Sequence, residues 1–244
     1  DTDRSPKILD LTLHRYRAIT LDLDNTLWEI DPVIHKAEAA LWSWLSENYP
    51  RIPLAFSAED VKVLREVTIE KYWQHKRHDF RFLRKKVLEL LAHEAGYDAE
   101  LVEPAFKVFD DARNAVDLYP DVLPDLEILY EKYTVVAVTN GNANLKTIGI
   151  HHLFHDVVTA ETVGVAKPAK GIFKHAIRKA GVAPEEILHV GDHPEADIDG
   201  GRQAGMRTAW INRIDAEWPD HLPEPDLTIS TITELRDILE KAVA

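Results

Sequence analysis

Asp22 and Asp24 sit one residue apart in "ITLDLDNTLW" (residues 19–28), an apolar run that climbs into acid and then breaks on Asn25 and Thr26. Carboxylates seldom end a buried segment unless they are paired or bind something. At this spacing both project to the same general side of an extended chain. One could then attack phosphorus as a covalent nucleophile, while the other protonates a leaving oxygen and afterwards deprotonates water. Other apolar stretches also finish on polar residues: Thr139 and Asn140 close "YTVVAVTN", Lys167 follows a strand in "GVAK", and Asp192 ends "EILHVGD". A hydroxyl and the amides after it can hold non-bridging oxygens, and a lysine adds fixed positive charge where negative charge gathers. Mg2+ takes a few carboxylates and keeps several waters, so Asp22 and Asp192 are plausible ligands; oxygen donors suit Mn2+ as well.

Each of these signals has a plainer reading. Asp-x-Asp before a turn is a common turn device, and Thr-Asn-Gly is usually just a turn. Asp192 could cap the helix that follows it, and Asp197 and Asp199 could be solvated first-turn acids of that helix. Their joint order outweighs the separate alternatives, since each lies at or just beyond the end of its own strand. Carboxyl ends of strands are where open α/β sheets place their ligands.

The elements that must position these groups are β-branched runs at 17–24, 133–140, 156–163, 186–192, 206–212 and 226–230, several of them apolar on both faces as buried parallel strands are. Helical patterns lie between most of them. "PAKGIFKHAIRKAGVAP" puts Ile172, Phe173, Ala176 and Ile177 on one stripe and stops at Gly181, with Pro184 beyond. Strands alternating with such helices predict a doubly wound parallel α/β sheet. From about Asp31 to Tyr119 the rhythm changes to helical periodicity alone, bracketed by Pro32 and Tyr119-Pro120. Ser57 with Asp60 reads as a capping box opening "AEDVKVLREVTIEKYWQHK". The expected organisation is a core of residues 1–31 and 120–244 with a helical module of residues 32–119 inserted after the first strand.

Within that module "HKRHDFRFLRKK" (75–86) spaces Arg77, Arg81 and Arg84 as on one helix face, near Trp73, Phe80 and Phe82. One reading is a basic, aromatic-flanked surface for a phosphate on a flat ring, with Arg81 as the substrate contact. The other is a solvated face opposite a core stripe of Phe82, Val87 and Leu91. Trp42, Trp44 and Tyr72 are expected in the module's core, whereas Trp28 is the better candidate for lining the pocket. The chain has 244 residues, 45% of them hydrophobic, and a net charge of -13 that argues against a nucleic-acid surface. No apolar run reaches the roughly 18 residues of a membrane span. With no cysteine, disulfides, thiol catalysis and Cys-ligated zinc are excluded, which fits a cytoplasmic protein.

The order of the motifs resembles the haloacid dehalogenase (HAD) superfamily: "DLDNTL" is similar to its first motif, "VTNGN" to its second, "AKP" to its third and "HVGDHPEAD" to its fourth. The resemblance implies that Asp22 is nucleophile and metal ligand, and that Asp24 is acid/base and metal ligand through its carbonyl. It implies that Thr139 and Asn140 bind phosphate, Lys167 neutralises charge, Asp192 holds Mg2+, and Asp197 is a metal ligand or support for Lys167. The inserted module resembles the helical C1 cap. The superfamily's dehalogenases lack an acid at the position of Asp24, because a halide leaves without a proton, so the resemblance implies a phosphatase. "DPVIHKAEAAL", "RHDFRFLRKKVLE" and "EILHVGDHPEADIDGGRQAGM" extend the likeness to bacterial FMN phosphatases of this class, which implies a small phosphorylated metabolite such as FMN or a phosphorylated ribityl-uracil as substrate. A phosphomutase, a promiscuous sugar-phosphate or nucleotide phosphatase, a dehalogenase and an idle binding core are the alternatives.

Overall fold

The chain of the computed structural model is described for residues 16–243. Six short strands form one sheet: β1 (Ala18–Leu21), β2 (Thr134–Thr139), β3 (Asp156–Thr159), β4 (Ile187–Gly191), β5 (Arg207–Ile211) and β6 (Leu227–Ile229). Their order is β3-β2-β1-β4-β5-β6, and every pairing is parallel. All four residues of β1 are buried, as a central strand covered on both faces requires. The order reverses on either side of β1, which makes its carboxyl end the switch point of a doubly wound, Rossmann-like sheet.

The sequence divides into two units. The sheet unit comprises the described residues up to Glu29 together with Asp117–Gly141 and those from Gly149 onward. One face of its sheet is covered by the helix Lys170–Ala180, whose Ile172, Phe173 and Ala176 pack with Val136, Val138 and Val158. That helix ends on Gly181 in the left-handed conformation, φ 68°, as the sequence leads one to expect. On the other face the helix Val122–Lys132 is tied to the helix Ile232–Val243 by Asp125, which accepts from Thr233 and Arg236.

The helical unit, Ile30–Val116 with Asn142–Ile148, contains α1 (Ile30–Asn48), α2 (Arg51–Ala55), α3 (Ala58–Lys76), α4 (Phe80–Glu94), α5 (Val102–Arg113) and, from the second segment, the short α6 (Leu145–Ile148). Its core is built from Leu41 and Leu45 of α1, Leu88 and Leu91 of α4 and Phe106 and Phe109 of α5. Trp42 and Trp44 pack against that core. Segment 142–148 lies with the helices rather than with the sheet, where the sequence reading had placed it. Arg113 Nε donates to Asn142 Oδ1 at 3.2 Å and Asn144 N donates to Asn114 Oδ1 at 2.7 Å.

Two local expectations are corrected. The run 156–163 is strand only to Thr159, where Thr159 caps a helical turn Ala160–Val163 by accepting from Thr162 N. The stretch 75–86 is not one helix: α3 ends at Lys76 and α4 restarts behind Asp79, which accepts from Phe82 N at 2.9 Å. Arg77 therefore falls in the intervening turn, and the three arginines share no helix face. Arg84 stacks 3.4 Å above Phe109 and pairs with Glu38, while Phe82 meets Tyr72 edge-on.

Candidate active site

At the carboxyl end of β1 the backbone leaves Leu21 and folds into a tight turn. Leu23 O accepts from both Thr26 N and Leu27 N, and Asn25 takes a left-handed φ of 62°, a conformation asparagine tolerates well. The turn is closed by side chains: Thr26 Oγ1 donates to Asp22 Oδ2 at 3.2 Å and Trp28 Nε1 donates to Asp24 Oδ1 at 3.0 Å. Trp28 is fully buried and bound to Asp24, so it orients an acid rather than presenting a free ring.

Lys167 is buried between two carboxylates, with Nζ 2.6 Å from Asp22 Oδ1 and 2.6 Å from Asp197 Oδ1. Its third proton goes to Val138 O at 2.9 Å. An ammonium has three donors and all three are used. The lysine therefore fixes Asp22 and offsets its charge. Burial works against the charged lysine, but Asp197 and Asp22 outweigh it and hold the ammonium well above its usual range.

Asn140, expected at the phosphate, does something else with both ends of its amide. Oδ1 accepts from Lys167 N at 2.7 Å and Nδ2 donates to Lys167 O at 3.0 Å, clamping the main chain of the lysine. The neighbouring Thr139 is buried at the end of β2, and its Oγ1 accepts from Gly141 N at 2.9 Å, which turns the loop 139–141 back on itself.

Asp197 reaches the site from the turn Pro194–Asp199 after β4. It is buried, not a solvated helix acid; Asp199 has that role, pairing with Arg202 and Gln203. The cap expected from Asp192 is supplied by His193, which accepts from Glu195 N and Ala196 N. Asp197 Oδ1 receives Lys167 and His189, and Oδ2 receives His193 N at 3.1 Å. A side chain at Gly191 is impossible beside it, since a Cβ there would lie 2.3 Å from Asp197 Cγ. Burial tends to raise this carboxyl, but Lys167 and His189 prevail and hold it well below the usual carboxylate range.

His189 is the residue that sequence reading missed. It points inward from β4 and is entirely buried, with Nδ1 2.7 Å from Thr20 Oγ1 and Nε2 3.2 Å from Asp197 Oδ1. Burial, reinforced by Lys167, pushes its pKa down, so the ring is neutral. With Asp197 ionised, Nε2 carries the proton and Nδ1 accepts from Thr20. The signal available in the sequence was a histidine inside an otherwise apolar strand two residues before "GD".

Carboxylate oxygens of Asp22, Asp192 and Asp197 all lie within 4.8 Å of one another. Burial, together with the repulsion of Asp197 and Asp192, pushes Asp22 well above its ordinary value despite Lys167. Burial and Asp197 push Asp192 up to about 6. Two acids in this condition suit a divalent cation, whose charge removes the penalty. Asp24 contributes no side-chain oxygen to this cluster.

Arg81 belongs to the helical unit. There it pairs with Asp110 at 3.2 Å and donates to Asn142 O at 3.1 Å. Among the described residues no helix is long and apolar enough to cross a membrane.

This order of strands, with an acidic, lysine-bridged cluster at the switch point, defines a class of hydrolase, and the comparisons say which. The family model for haloacid dehalogenase-like hydrolase matches residues 16–205, and the chain belongs to that family. Two relatives extend over nearly the whole chain. A glyceraldehyde 3-phosphate phosphatase of Methanopyrus kandleri is 35% identical over 92% of this chain and 97% of its own length. The 5-amino-6-(5-phospho-D-ribitylamino)uracil phosphatase YigB of Escherichia coli is 31% identical over 93% and 98%. A solved structure described as 2-haloacid dehalogenase from Pseudomonas syringae pv. Tomato DC3000 has a TM-score of 0.86 and 36% identity, over 93% of this chain and 99% of that one. Phosphatase is the enzyme class of the chain.

Proposed function

We propose that the protein is a Mg2+-dependent phosphomonoester hydrolase acting through an aspartyl phosphate on Asp22, with FMN or a phosphorylated ribityl-uracil as substrate. The observation that carries this reading is the buried Asp22–Lys167–Asp197 bridge with Asp192 beside it. The bridge aims the nucleophilic carboxylate and opposes the protonation that burial favours, which a cation bound beside it would oppose further.

Asp22 attacks phosphorus; a phosphorus–oxygen bond breaks, and Asp24, oriented by the Trp28 indole, gives its proton to the leaving alkoxide. Water then attacks the acyl phosphate, Asp24 takes the proton back, and inorganic phosphate leaves with Asp22 restored. The Thr139 hydroxyl, which accepts from Gly141 N and keeps its own proton to donate, holds a non-bridging oxygen, with the Asn140 main-chain amide beside it. Asp22 and Asp192, with the carbonyl of Asp24 by family resemblance, would hold the cation, which would neutralise phosphoryl oxygens. Asp197 is assigned instead to supporting Lys167, because three donors, Lys167, His189 and the His193 amide, already converge on its two oxygens. By family resemblance the inserted helices correspond to the C1 cap.

The likeness to the phosphatase YigB supports the ribityl-uracil substrate, and the likeness to the Methanopyrus phosphatase makes glyceraldehyde 3-phosphate the competing one. Phosphate release is measured for FMN, the ribityl-uracil phosphate, glyceraldehyde 3-phosphate and a sugar phosphate, with Mg2+ and with EDTA. A metal-dependent profile led by the first two is expected. A lead for glyceraldehyde 3-phosphate discards the substrate and keeps the chemistry. The likeness to a structure described as a dehalogenase favours a second reading, which halide release from 2-chloropropionate in EDTA would establish; Asp24, an acid with no work to do there, argues against it.

A further inference from the structure

One buried guanidinium lies behind the turn that carries both aspartates. Arg213, just beyond β5, has a side chain only 8% exposed. Its Nε and Nη2 both donate to the main-chain oxygen of Thr26, at 3.2 and 2.9 Å. Its Nη1 and Nη2 donate to the two oxygens of Asp121, at 2.8 and 3.0 Å. Its plane stacks 4.2 Å from the ring of Tyr119. Asp121 is fixed in turn, because Oδ2 also accepts from Ile232 N at 2.7 Å.

Thr26 is therefore held from both sides. Its carbonyl is gripped by Arg213, while its hydroxyl donates to Asp22 Oδ2 and its amide to Leu23 O. Two residues on, Trp28 orients Asp24. A planar fork with five fixed donors can span a carbonyl and a carboxylate at once, whereas the point charge of a lysine cannot.

We propose that Arg213 is a positioning residue for the acid/base step: by pinning the Thr26 carbonyl to Asp121 it holds the Asp22–Trp28 turn in the shape that aims Asp24 at the leaving oxygen. The proposal rests on the phosphatase mechanism above. Loosening the turn costs most where proton donation matters most, because small misplacements of a catalytic group lose about 10- to 10²-fold.

The test uses substituted phenyl phosphates of graded leaving-group pKa, assayed with Mg2+ on wild type, Arg213→Lys and the double variant Arg213→Met/Asp121→Asn. The double variant avoids stranding a buried carboxylate that would unfold the protein. Expected is a kcat/KM loss of about tenfold or more on phenyl phosphate and a much smaller one on p-nitrophenyl phosphate. Amide exchange at Asn25 to Leu27 should quicken in the same variants, a readout that needs no turnover. An equal loss across the series, or unchanged exchange in the turn, overturns the positioning role. Wild type inactive on every phosphate, with exchange quickened in the variants, would instead sink the phosphatase mechanism and leave Arg213 a structural tie.

Discussion

At the residue scale the site is a balance of charges that none of its members could keep alone. Asp22 and Asp192 are held above their ordinary pKa and Asp197 below it, and Lys167 divides its protons between the first and the last. Asp22→Asn should lower turnover by at least about 10³-fold, the scale seen when a covalent nucleophile is removed. Its melting temperature at neutral pH without metal should not fall, since the ionised carboxylate it replaces is disfavoured by the fold; a drop of several degrees would contradict that. Asp192 gives a pH dependence with a definite sign. Its folded pKa of about 6 lies above its unfolded value near 4, so between those limits the folded chain holds more protons and stability declines as pH rises. Asp192→Asn should thus melt higher than wild type at pH 7.5 in EDTA, and the two should converge near pH 4. Stabilisation of wild type by Mg2+ should grow as pH rises through about 6.

At the element scale the helices of the inserted unit are unequally secured. Thr68 is the one buried residue of α3, whereas α4 buries five residues and α5 another five. The Ser57–Asp60 box secures the start of α3, which is otherwise held by half-buried contacts such as Val61 and Leu64 on the helical core. Ser57→Ala should cost about 1 kcal/mol. Amides of α3 should exchange faster than those of α1 and α5, as hydrogen–deuterium exchange would read. That box was legible in the sequence because a cap is a local signal, and the strand ends were legible because apolar β-branched runs stop where they meet acid. Asp79 was not read as a stop, so the arginine spacing was followed across a break that a single side-chain bond creates. The roles of His189 and of the Asn140 amide were hidden for another reason: both depend on partners that the chain brings in from another strand or loop, as Thr20 and Lys167 show.

At the scale of the whole molecule the described residues include one apolar core among the helices and another against the sheet. Calorimetry should show a transition broader than two-state. Mg2+ should raise the part belonging to the sheet unit, where the acidic cluster lies, and leave the other in place. The position of β1 has a kinetic counterpart. The strand that begins the sheet is also its centre, and Ala18 pairs with Thr134 on one side and Ile187 on the other. Both partners are synthesised long after it, and neither arrives until every residue of Ile30–Val116 has been made. Contacts this distant along the chain close slowly, while the helices between them can form from near neighbours. During its own translation the protein should therefore pass through a stage with helices assembled and an apolar strand unpaired, and that interval is when it is most exposed to aggregation and most in need of a chaperone.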